Sequence, residues 1–539
     1  MTQVIDIAIV GAGMSGLYSA WRLKADAAAH QRPLTVAVFE GSERVGGRLL
    51  SVKPPFVNDT FVELGGMRFT ATQHLVCGLT KAFGLQTGVL ADANPSNIAY
   101  LRGQRLTKGE LTDPERIPYV IDESLRNPES LQDLMAVAAV RALAPSFKLV
   151  LDIDLTLDTL KQVTAAQWRA VGERGTFEGK PLYETPLHYL LVRTLGHGAV
   201  QFLQDSLGYD SVLWTWSAAD GFPFNLSDFG SDITHFHLID GFSALPRRLH
   251  EEAVALGVDV QLSTRVRSVH DVVLADGTAG VAFTTVKSDG QETRHLARQL
   301  ILALPRRAIE LLDRTGPLFE SRASVFRPLL EAVSPIPLFK IALCYEHCWW
   351  EAVVGAGSHG KSVTDMPMRQ VYYWKVNPDD QQGVVLIYDG GLAKSYWEQL
   401  DHIEPNKVQS KLAHRRPGVE MWADYAAPAR IIFEAHRQLL ELHGMHESQA
   451  PAPFAAACMS WSRDPFGGGA HFWNMGLRSH EVAEKILQPL PELPVYICGE
   501  AWSHDQGWVE GALATAEAML TRHFGLSSVL DTDLLSAHP

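Results

Sequence analysis

The stretch VIDIAIVGAGMSGLYSAWRLK, from Val4 to Lys24, decides the fold of this chain. Its beginning has the length and composition of a buried strand, and the apolar residues that follow recur at helical spacing. Between the two stands Gly11-x-Gly13-x-x-Gly16. In a strand–turn–helix unit the first glycine permits a tight turn, the second lets a pyrophosphate approach, and the third lets the helix pack on the strand. The phosphate would accept hydrogen bonds from the free N–H groups at the start of the helix.

A second apolar strand, LTVAVFE, ends in Glu40, 24 positions after Gly16. A carboxylate at this place can accept hydrogen bonds from a ribose diol. Glycine motifs of this form also occur by chance in loops. Here, however, a strand precedes the motif, a helix follows it, and an acid ends the next strand. The whole unit therefore predicts a dinucleotide-binding site.

The composition excludes several classes of partner. The 539 residues carry a formal net charge of −14, which argues against a general affinity for nucleic acid or anionic lipid. The five cysteines are scattered and include no C-x-x-C pair, which suits free thiols in a reducing compartment. We find no basic and apolar leader after Met1 and no apolar run long enough to span a bilayer. We therefore expect a soluble, cytoplasmic protein without a membrane partner; a homodimer is left open.

Two further segments extend the dinucleotide signal. In EGSERVGGRLLS, Arg44 and Arg48 flank two glycines, and guanidinium groups there can neutralise a pyrophosphate. In VELGGMRFT, Arg68 follows two glycines inside an otherwise buried stretch. The series GAGMSG…FEGSERVGGR…ELGGMRF resembles the flavin amine oxidases, closest to the L-amino acid oxidases. The resemblance recurs along the whole chain and implies bound FAD, with the GGMR segment beside the isoalloxazine ring.

The resemblance also implies how the chain divides into domains. Residues 1–75, 240–325 and 455–539 would form a discontinuous FAD-binding domain, and residues 76–107, 226–239 and 326–454 a substrate-binding domain. Residues 108–225 carry helical stretches and would form a helical domain. The expected fold class is α/β with mixed α+β character: a Rossmann-like FAD-binding domain, a mixed-sheet substrate domain and a helical domain. Near the C-terminus, an Ala-rich helix from Gly511 to Leu520 would stabilise negative charge on the flavin pyrimidine ring through its N-terminus.

The same resemblance assigns residues to the cofactor. Val266 matches the position whose backbone meets the adenine. Glu500 matches an acid that hydrogen-bonds the ribityl or diphosphate part, with a helix-capping role as its alternative. Ala470 stands where animal monoamine oxidases carry a cysteine bonded to the flavin, so non-covalent FAD is expected. The residues expected to contact FAD are Gly11, Gly13, Met14, Ser15, Gly16, Glu40, Arg44, Gly47, Arg48, Gly65, Gly66, Met67, Arg68, Val266, Gly499, Glu500, Trp508 and Val509.

Two basic residues are expected on the substrate side. Arg68 matches the arginine that binds the substrate α-carboxylate in L-amino acid oxidases, and a planar fork suits that group. Its alternative role is an ion pair within the fold, for example with Glu63. Lys340 lies in the apolar strand PLFKIALCYE and matches a lysine that holds a water near flavin N5, which marks it as the catalytic residue. Its alternative role is a strand-end lysine that reaches solvent.

Aromatic residues would form the walls of the substrate site. Trp508 matches one wall of the family's aromatic cage, and His471 matches the facing wall, with Phe472 as a competitor. Tyr388 would add a hydroxyl to the carboxylate clamp, with Tyr372 and Tyr373 as rivals. All of these side chains could instead belong to the core. His235 and His237 form an H-x-H pair without a further ligand set, so no metal is predicted.

These expectations predict an FAD-dependent L-amino acid oxidase. Hydride transfer from the α-carbon to flavin N5 would convert an L-amino acid and oxygen into a 2-oxo acid, ammonia and hydrogen peroxide. One alternative is an amine or polyamine oxidase on the same scaffold, in which Arg68 would lack a carboxylate. A second is a flavin amino-acid 2-monooxygenase, which releases an amide. A non-catalytic flavin-binding protein is the third. The sequence leaves the preferred L-amino acids open.

Overall fold

The fold is described from a computed structural model, which covers residues 4–55, 57, 60–90, 94–229, 233–376, 382–391, 393–403 and 422–531. Helices and mixed sheets alternate along these ranges, as the expected α/β class requires. Two large sheets and a layer of helices organise the described residues.

The first sheet carries the dinucleotide motif. Its strands lie in the order Asp259–Gln261, Val36–Phe39, Val4–Val10, Glu292–Leu302, Ala279–Lys287 and Thr264–Val273. Val4–Val10 pairs in parallel with strands on both sides, so its residues 7–10 are buried. Val495–Ile497 pairs in parallel with the end of Glu292–Leu302. The carboxyl ends of these parallel strands meet at one edge, where ligands bind in open α/β sheets.

Three helices cover one face of this sheet. Met14–Ala29 packs against both Ala244–Ala255 and Val509–Phe524. A buried cluster joins the first and last of them, in which Glu517 accepts hydrogen bonds from Tyr18 and, through both oxygens, from Arg22. The C-terminal helix is thereby fixed beside the first helix, although nearly 500 residues separate them in sequence.

The second sheet forms the floor of the predicted substrate domain. Its strands lie in the order Ala455–Ser460, Phe339–Tyr345, Gly383–Asp389, Gln370–Val376, Lys361–Thr364, Ile98–Leu101 and Gln104–Thr107. All neighbours are antiparallel except Lys361–Thr364 and Ile98–Leu101. Ala455–Ser460 therefore pairs within this sheet, although the sequence assigned residues from 455 to the FAD-binding domain. The domain boundaries themselves stay a prediction.

Residues 128–229 are mainly helical. Their helices are Pro128–Gln132, Leu134–Leu151, Leu157–Leu160, Ala165–Arg174, Leu187–Leu195, His197–Leu207, Ser211–Trp214 and Ala218–Phe229. Leu134–Leu151 is long and apolar enough to cross a membrane, with a mean hydropathy of 1.7, which corrects the expectation that no such run exists. Half of this helix is buried, and it packs against Ala165–Arg174, Leu187–Leu195 and Ala218–Phe229. A buried core helix has these same properties.

Smaller elements connect the layers. Phe69–Thr70 and Thr87–Leu90 pair with His235–Leu238. The two-stranded pairs are Ser51–Val52 with Val62–Glu63, Thr176–Phe177 with Lys180–Pro181, and Val333–Ile336 with Ala470–Trp473. The remaining α-helices are His74–Ala82, Arg306–Glu310, Ala323–Leu330, Glu351–Val354, Lys394–Ile403, Ala429–His443 and Ser479–Lys485.

Candidate active site

A cavity of about 590 Å³ runs from the edge of the first sheet to the second sheet. Ligand sites of this kind typically enclose about 300–1,000 Å³. The cavity brings together most of the residues singled out in the sequence. Those that line it are Gly11, Gly13, Met14, Ser15, Glu40, Gly47, Arg48, Gly65, Gly66, Val266, Lys340, Tyr388, Gly499, Glu500, Trp508 and Val509. Gly16, Arg44, Met67, Arg68 and His471 are not among its described lining residues.

The phosphate end of the cavity has the geometry expected from the motif. Gly11 adopts φ +101°, a conformation that side chains rarely take, and a Cβ on Gly16 would lie 1.9 Å from the Gly11 carbonyl oxygen. A Cβ on Gly13 would meet no atom within 4 Å, so its side faces open space in the cavity. The helix Met14–Ala29 begins there without a side-chain cap. These free N–H groups suit a diphosphate.

Two charged side chains that follow the second strand, Glu40 and Arg44, form hydrogen bonds to nearby backbone groups. Glu40 lines the cavity, and its carboxylate already accepts hydrogen bonds from the amides of Ala12 (2.7 Å) and Ser42 (2.9 Å). Arg44 was expected at the diphosphate. Its guanidinium instead donates to the carbonyl oxygens of Val45, Gly47 and Leu49, so it closes its own loop. The expected contact between Arg44 and a diphosphate stays a prediction.

Glu500 is the centre of a buried charge network. Its oxygens accept hydrogen bonds from Arg48 Nη1 (2.8 Å), the amides of His471 and Gly507 (both 2.8 Å), and His471 Nδ1 (3.1 Å). Burial alone would raise the pKa of Glu500, but Arg48, His471 and Gly507 outweigh it and lower the pKa to about 2. Glu500 is therefore an ionised carboxylate on the cavity wall. Its partners Arg48, His471 and Gly507 come from three separate segments of the chain.

His471 does not form the facing wall of an aromatic cage. Its ring is fully buried and turned towards Glu500, and burial lowers the pKa of the imidazole. The competitor Phe472 is also buried, and its ring packs against Trp216 and Phe224 of the helical layer. Neither residue is among the described residues that line the cavity; besides Trp508, the described aromatic residues that line it are Phe39, Tyr388, Trp461 and Phe466.

The helix Val509–Phe524 points its N-terminus into the cavity. Trp508 precedes it without a side-chain cap, and Trp508, Val509 and Ala512 line the cavity. The helix thus begins two residues before the predicted Gly511. Its free N–H groups and dipole favour negative charge at this wall.

The two glycines before Arg68 are required by the chain itself. A Cβ on Gly65 would lie 2.2 Å from the Arg48 carbonyl oxygen, and one on Gly66 would lie 2.7 Å from Leu49. Both residues line the cavity. The missing side chain of Gly65 leaves room for neighbouring backbone, and that of Gly66 leaves room for the Leu49 side chain. The close approach of a cofactor to these glycines stays a prediction.

Lys340 fixes the same segment from the second sheet. It is only 3% exposed, and its Nζ donates to the carbonyl oxygens of Gly65 (2.6 Å) and Glu63 (3.1 Å). The ammonium lies 4.7 Å from the centre of the Tyr388 ring. Burial lowers the pKa of Lys340 to about 7 and raises that of Glu63 to about 7. A strand-end lysine that reaches solvent is therefore excluded.

Arg68 lies buried among tyrosine hydroxyls. Its Nη1 donates to Tyr372 Oη and its Nη2 to Tyr209 Oη, both at 3.4 Å, and the two hydroxyls are themselves 3.4 Å apart. The Glu63 carboxylate accepts from Ser51 and the Phe242 amide. The hydroxyls beside Arg68 are thus those of Tyr372 and Tyr209, whereas Tyr388 lines the cavity.

The contacts of Tyr373 and Tyr209 show where these two side chains lie relative to the cavity. Tyr373, a rival in the sequence, hydrogen-bonds Ser362 and His443 on the far face of the sheet. Tyr209 comes from the helical layer, and its ring meets that of Tyr388 at 5.5 Å.

Sequence reasoning also missed Asp228. Its carboxylate accepts a hydrogen bond from Trp508 Nε1 at 2.6 Å and so orients the indole ring. Burial raises the pKa of Asp228 to about 7, partly offset by the hydrogen bond from Trp508. Neither Asp228 nor Tyr209 stands in a recognisable motif, so no local signal could have revealed them. Among the described residues, no group of three or more His, Cys, Asp and Glu is placed to hold a metal ion.

The dinucleotide end, the aromatic end and the buried lysine together define a flavin-dependent oxidoreductase. The family model of flavin containing amine oxidoreductases matches residues 14–407, well over half of the chain, so the chain belongs to that family. FAD is its cofactor, and the cavity residues described above fit it. The resemblance seen in the sequence and the expected fold class are both confirmed.

Named relatives cover nearly the whole chain at modest identity. Aplysianin-A of Aplysia kurodai is 27% identical over 97% of this chain and 90% of its own length. An L-amino-acid oxidase of Sistrurus catenatus edwardsii is 23% identical over 99% of this chain and 88% of its own length. A solved structure of putrescine oxidase bound to putrescine has a TM-score of 0.66 at 19% identity, over 98% of this chain and 100% of that one. That likeness shows the fold.

Proposed function

We propose that this protein is an L-amino acid oxidase. It would convert an L-amino acid, water and oxygen into a 2-oxo acid, ammonia and hydrogen peroxide. The observation that carries the proposal is Arg68, a buried guanidinium beside the cavity whose charge acts on both Lys340 and Tyr388. A planar guanidinium in such a place can donate two parallel hydrogen bonds to the carboxylate of an amino-acid substrate, a group that a simple amine lacks.

Each residue of the site would have a separate task. Bound FAD would supply the acceptor for the hydride that leaves the substrate α-carbon. Arg68 would bind the carboxylate, while Trp508 and Tyr388 would confine the carbon skeleton and exclude water. Because burial brings the pKa of Lys340 to about 7, its Nζ could take up the proton that the substrate ammonium must lose. The carbonyl oxygens of Glu63 and Gly65 would hold Nζ in position for this.

The Sistrurus relative is named as an L-amino-acid oxidase and aligns with almost the whole of this chain, which supports the same activity. A second candidate is an amine oxidase, the activity after which the structurally similar putrescine oxidase is named. The observation that favours it is Asp228, because a carboxylate bonded to the cage residue Trp508 could receive the ammonium group of a diamine. A 2-monooxygenase remains the third candidate on this scaffold.

The deciding experiment is peroxide release from each of the twenty L-amino acids and from the matching decarboxylated amines. The proposal expects at least one L-amino acid to exceed its own amine by a wide margin. Turnover of amines alone would establish the amine oxidase instead, and an amide product without peroxide would establish the monooxygenase.

Three attributes belong to the proposal as well. FAD would be bound without a covalent link, because Ala470 replaces the linking cysteine, so acid denaturation and desalting should remove the yellow colour from the protein. The protein would act in the cytoplasm. Light scattering would separate a monomer from the homodimer that the sequence left open.

A further inference from the structure

The end of the helix His197–Leu207 is held by side chains of the second sheet. The last carbonyl groups of a helix have no partner inside the helix. The carbonyl oxygens of Leu207 and of Gly208 just after it accept hydrogen bonds from Lys361 (3.4 Å) and Gln370 (3.2 Å). The carbonyl oxygen of Gln204, which also accepts the Gly208 amide, accepts a hydrogen bond from Arg369 (3.1 Å). Two of these donors are cations, which a helix C-terminus favours. The helical layer is thereby tied to the sheet at one turn.

Arg369 is the strongest of these ties. Its side chain is only 5% exposed, and its guanidinium also pairs with Asp210 (2.8 Å) and Asp205 (3.3 Å). Arg369 itself adopts φ +49°, a left-handed conformation that non-glycine residues rarely take. Such strain persists only where the surroundings fix it.

The turn that follows the helix, Gly208–Ser211, is wedged between two segments of the second sheet. A Cβ on Gly208 would lie 2.6 Å from Gln370, and a Cβ on Gly391 would lie 2.6 Å from Asp210. Ser211 Oγ donates to the Gly390 carbonyl oxygen at 2.6 Å. The turn therefore has no room to shift while these contacts stand.

Tyr209 is the residue that this turn presents to the site. Its hydroxyl accepts from Arg68, its ring edge meets Tyr388 on the cavity wall, and Lys361 Nζ lies 5.0 Å from the ring centre. The side chain is 6% exposed, so these neighbours determine its position.

We propose that Tyr209 positions the Arg68 fork for the substrate carboxylate, and that Arg369 is a positioning residue that acts through Tyr209. This inference rests on the proposed function, because Arg68 has a carboxylate to bind only if the substrate is an amino acid. Tyr209 from the helical layer and Tyr372 from the second sheet each accept a hydrogen bond from Arg68. The substrate site is thus shared between the second sheet and the helical layer.

Tyr209→Phe is the principal test, because it keeps the ring and its packing and removes only the hydroxyl. The matched control is Tyr373→Phe, which removes a buried hydroxyl from the far face of the second sheet. Both variants are loaded with FAD, and KM and kcat are measured for the best L-amino acid and for its decarboxylated amine. We expect Tyr209→Phe to raise KM for the amino acid about 3- to 10-fold with kcat nearly unchanged, as befits one long hydrogen bond to a charged group. The amine and the control variant should change less than two-fold.

A double-mutant cycle with Arg369→Lys tests the second half of the proposal. Lysine keeps the charge but cannot form the forked contacts of arginine. If Arg369 acts through Tyr209, Arg369→Lys should raise KM in the wild-type background and add little in the Tyr209→Phe background. Benzoate is a carboxylate without an oxidisable amine, and its binding can be followed by tryptophan fluorescence. Its dissociation constant should increase in parallel with KM.

The outcomes separate this inference from the function on which it rests. Wild-type protein that oxidises amines but no L-amino acid would overturn both. Wild-type protein that oxidises an L-amino acid, with an unchanged KM and benzoate affinity in Tyr209→Phe, would overturn the inference alone. Additive effects in the cycle would show that Arg369 acts independently of Tyr209. If Arg369→Lys fails to fold, the Tyr209→Phe and Tyr373→Phe pair still decides the role of Tyr209.

Discussion

Replacement of Glu500 by Gln should remove the charge anchor of the cavity without changing its shape. Glutamine has the size of a protonated glutamate, so the variant resembles the neutral acid. Its single carbonyl oxygen can keep the amides of His471 and Gly507, which both donate to Oε1. The amide nitrogen would then face Arg48 and His471 Nδ1, which donate to Oε2 in the native protein. Arg48 would lose its carboxylate partner and keep the Gly469 carbonyl oxygen as an acceptor.

The size of the effect follows from the pKa of Glu500. The side chain is 6% exposed, and its pKa falls from the ordinary 4.5 to about 2, a difference of about 2.5. At about 1.4 kcal/mol for each pKa unit, the folded protein prefers the charged form by about 3 kcal/mol. Because the folded-state pKa is depressed, this stability is present above pH 4.5 and is lost as the pH falls towards 2. Glu500→Gln should therefore lower the free energy of unfolding by about 3 kcal/mol at pH 7.

The assay is urea unfolding at pH 7, followed by tryptophan fluorescence, at one fixed excess of FAD because ligand binding adds to stability. The control is Glu481→Gln, which removes an exposed carboxylate from its surface pairs with Lys485 and Arg478 and should cost little. Glu500→Gln should also retain less FAD after gel filtration. An unfolding midpoint equal to that of the control would refute the reasoning, since Arg48 would then not depend on the charge of Glu500.

Three other substitutions or conditions test the site and its support. Arg68→Ala should lower kcat/KM for the best L-amino acid by about 30-fold to several thousand-fold, because truncation of one partner of a buried charge pair costs about 2–5 kcal/mol; an equal loss on the decarboxylated amine, with FAD still bound, would contradict a role at the carboxylate. In the wild-type protein kcat/KM should rise as the pH increases through about 7, because burial lowers the pKa of Lys340 to that value. In Lys340→Met this rise of kcat/KM with pH should disappear while FAD is retained. An unchanged pH profile in the variant would show that Lys340 does not take part in proton transfer. Burial lowers the pKa of His443 to about 4, and its Nε2 accepts a hydrogen bond from Tyr373. As the pH falls, the unfolded chain therefore binds a proton at His443 before the folded protein does, and the free energy of unfolding should fall by about 3 kcal/mol between pH 6.5 and pH 4. The same acid dependence in His443→Gln would show that His443 is not its cause.

Local patterns were sufficient to predict the dinucleotide end. The predicted first strand coincides with Val4–Val10, and Gly16 is packed so closely that an added Cβ would lie 1.9 Å from the Gly11 carbonyl oxygen. Strand, turn and helix are set by neighbours a few residues apart, so a pattern in sequence carries the information. The start of the helix at Val509 was missed by two residues; Glu510 in its first turn accepts hydrogen bonds from the amides of Leu75 and Val76, contacts that no local pattern records.

The substrate end depends on contacts that no local pattern records. Tyr209 lies 141 positions from Arg68, and Asp228 lies 280 positions from Trp508. His471 was assigned to the cage from its place in a motif, but a histidine can bond Glu500 through Nδ1, where a tyrosine ring cannot. The contact between His471 and Glu500 joins residues 29 positions apart. Such contacts are visible only once the tertiary neighbours are known.

The Arg48–Glu500 ion pair and the segment that carries Arg68 meet at Gly65. The backbone at Gly65 lies so close to Arg48 that no larger residue fits, and Arg48 holds Glu500. The carbonyl oxygen of Gly65 accepts from Lys340, the neighbouring carbonyl of Leu64 accepts from Trp461 Nε1 at 2.7 Å, and Arg68 follows three residues later. A side chain at position 65 would push this segment away from Arg48 and carry Arg68 and the Lys340 contact with it. The position of the segment that leads to Arg68 is therefore set by backbone packing at Gly65, and the proposed contact between Arg68 and a substrate carboxylate depends on that packing.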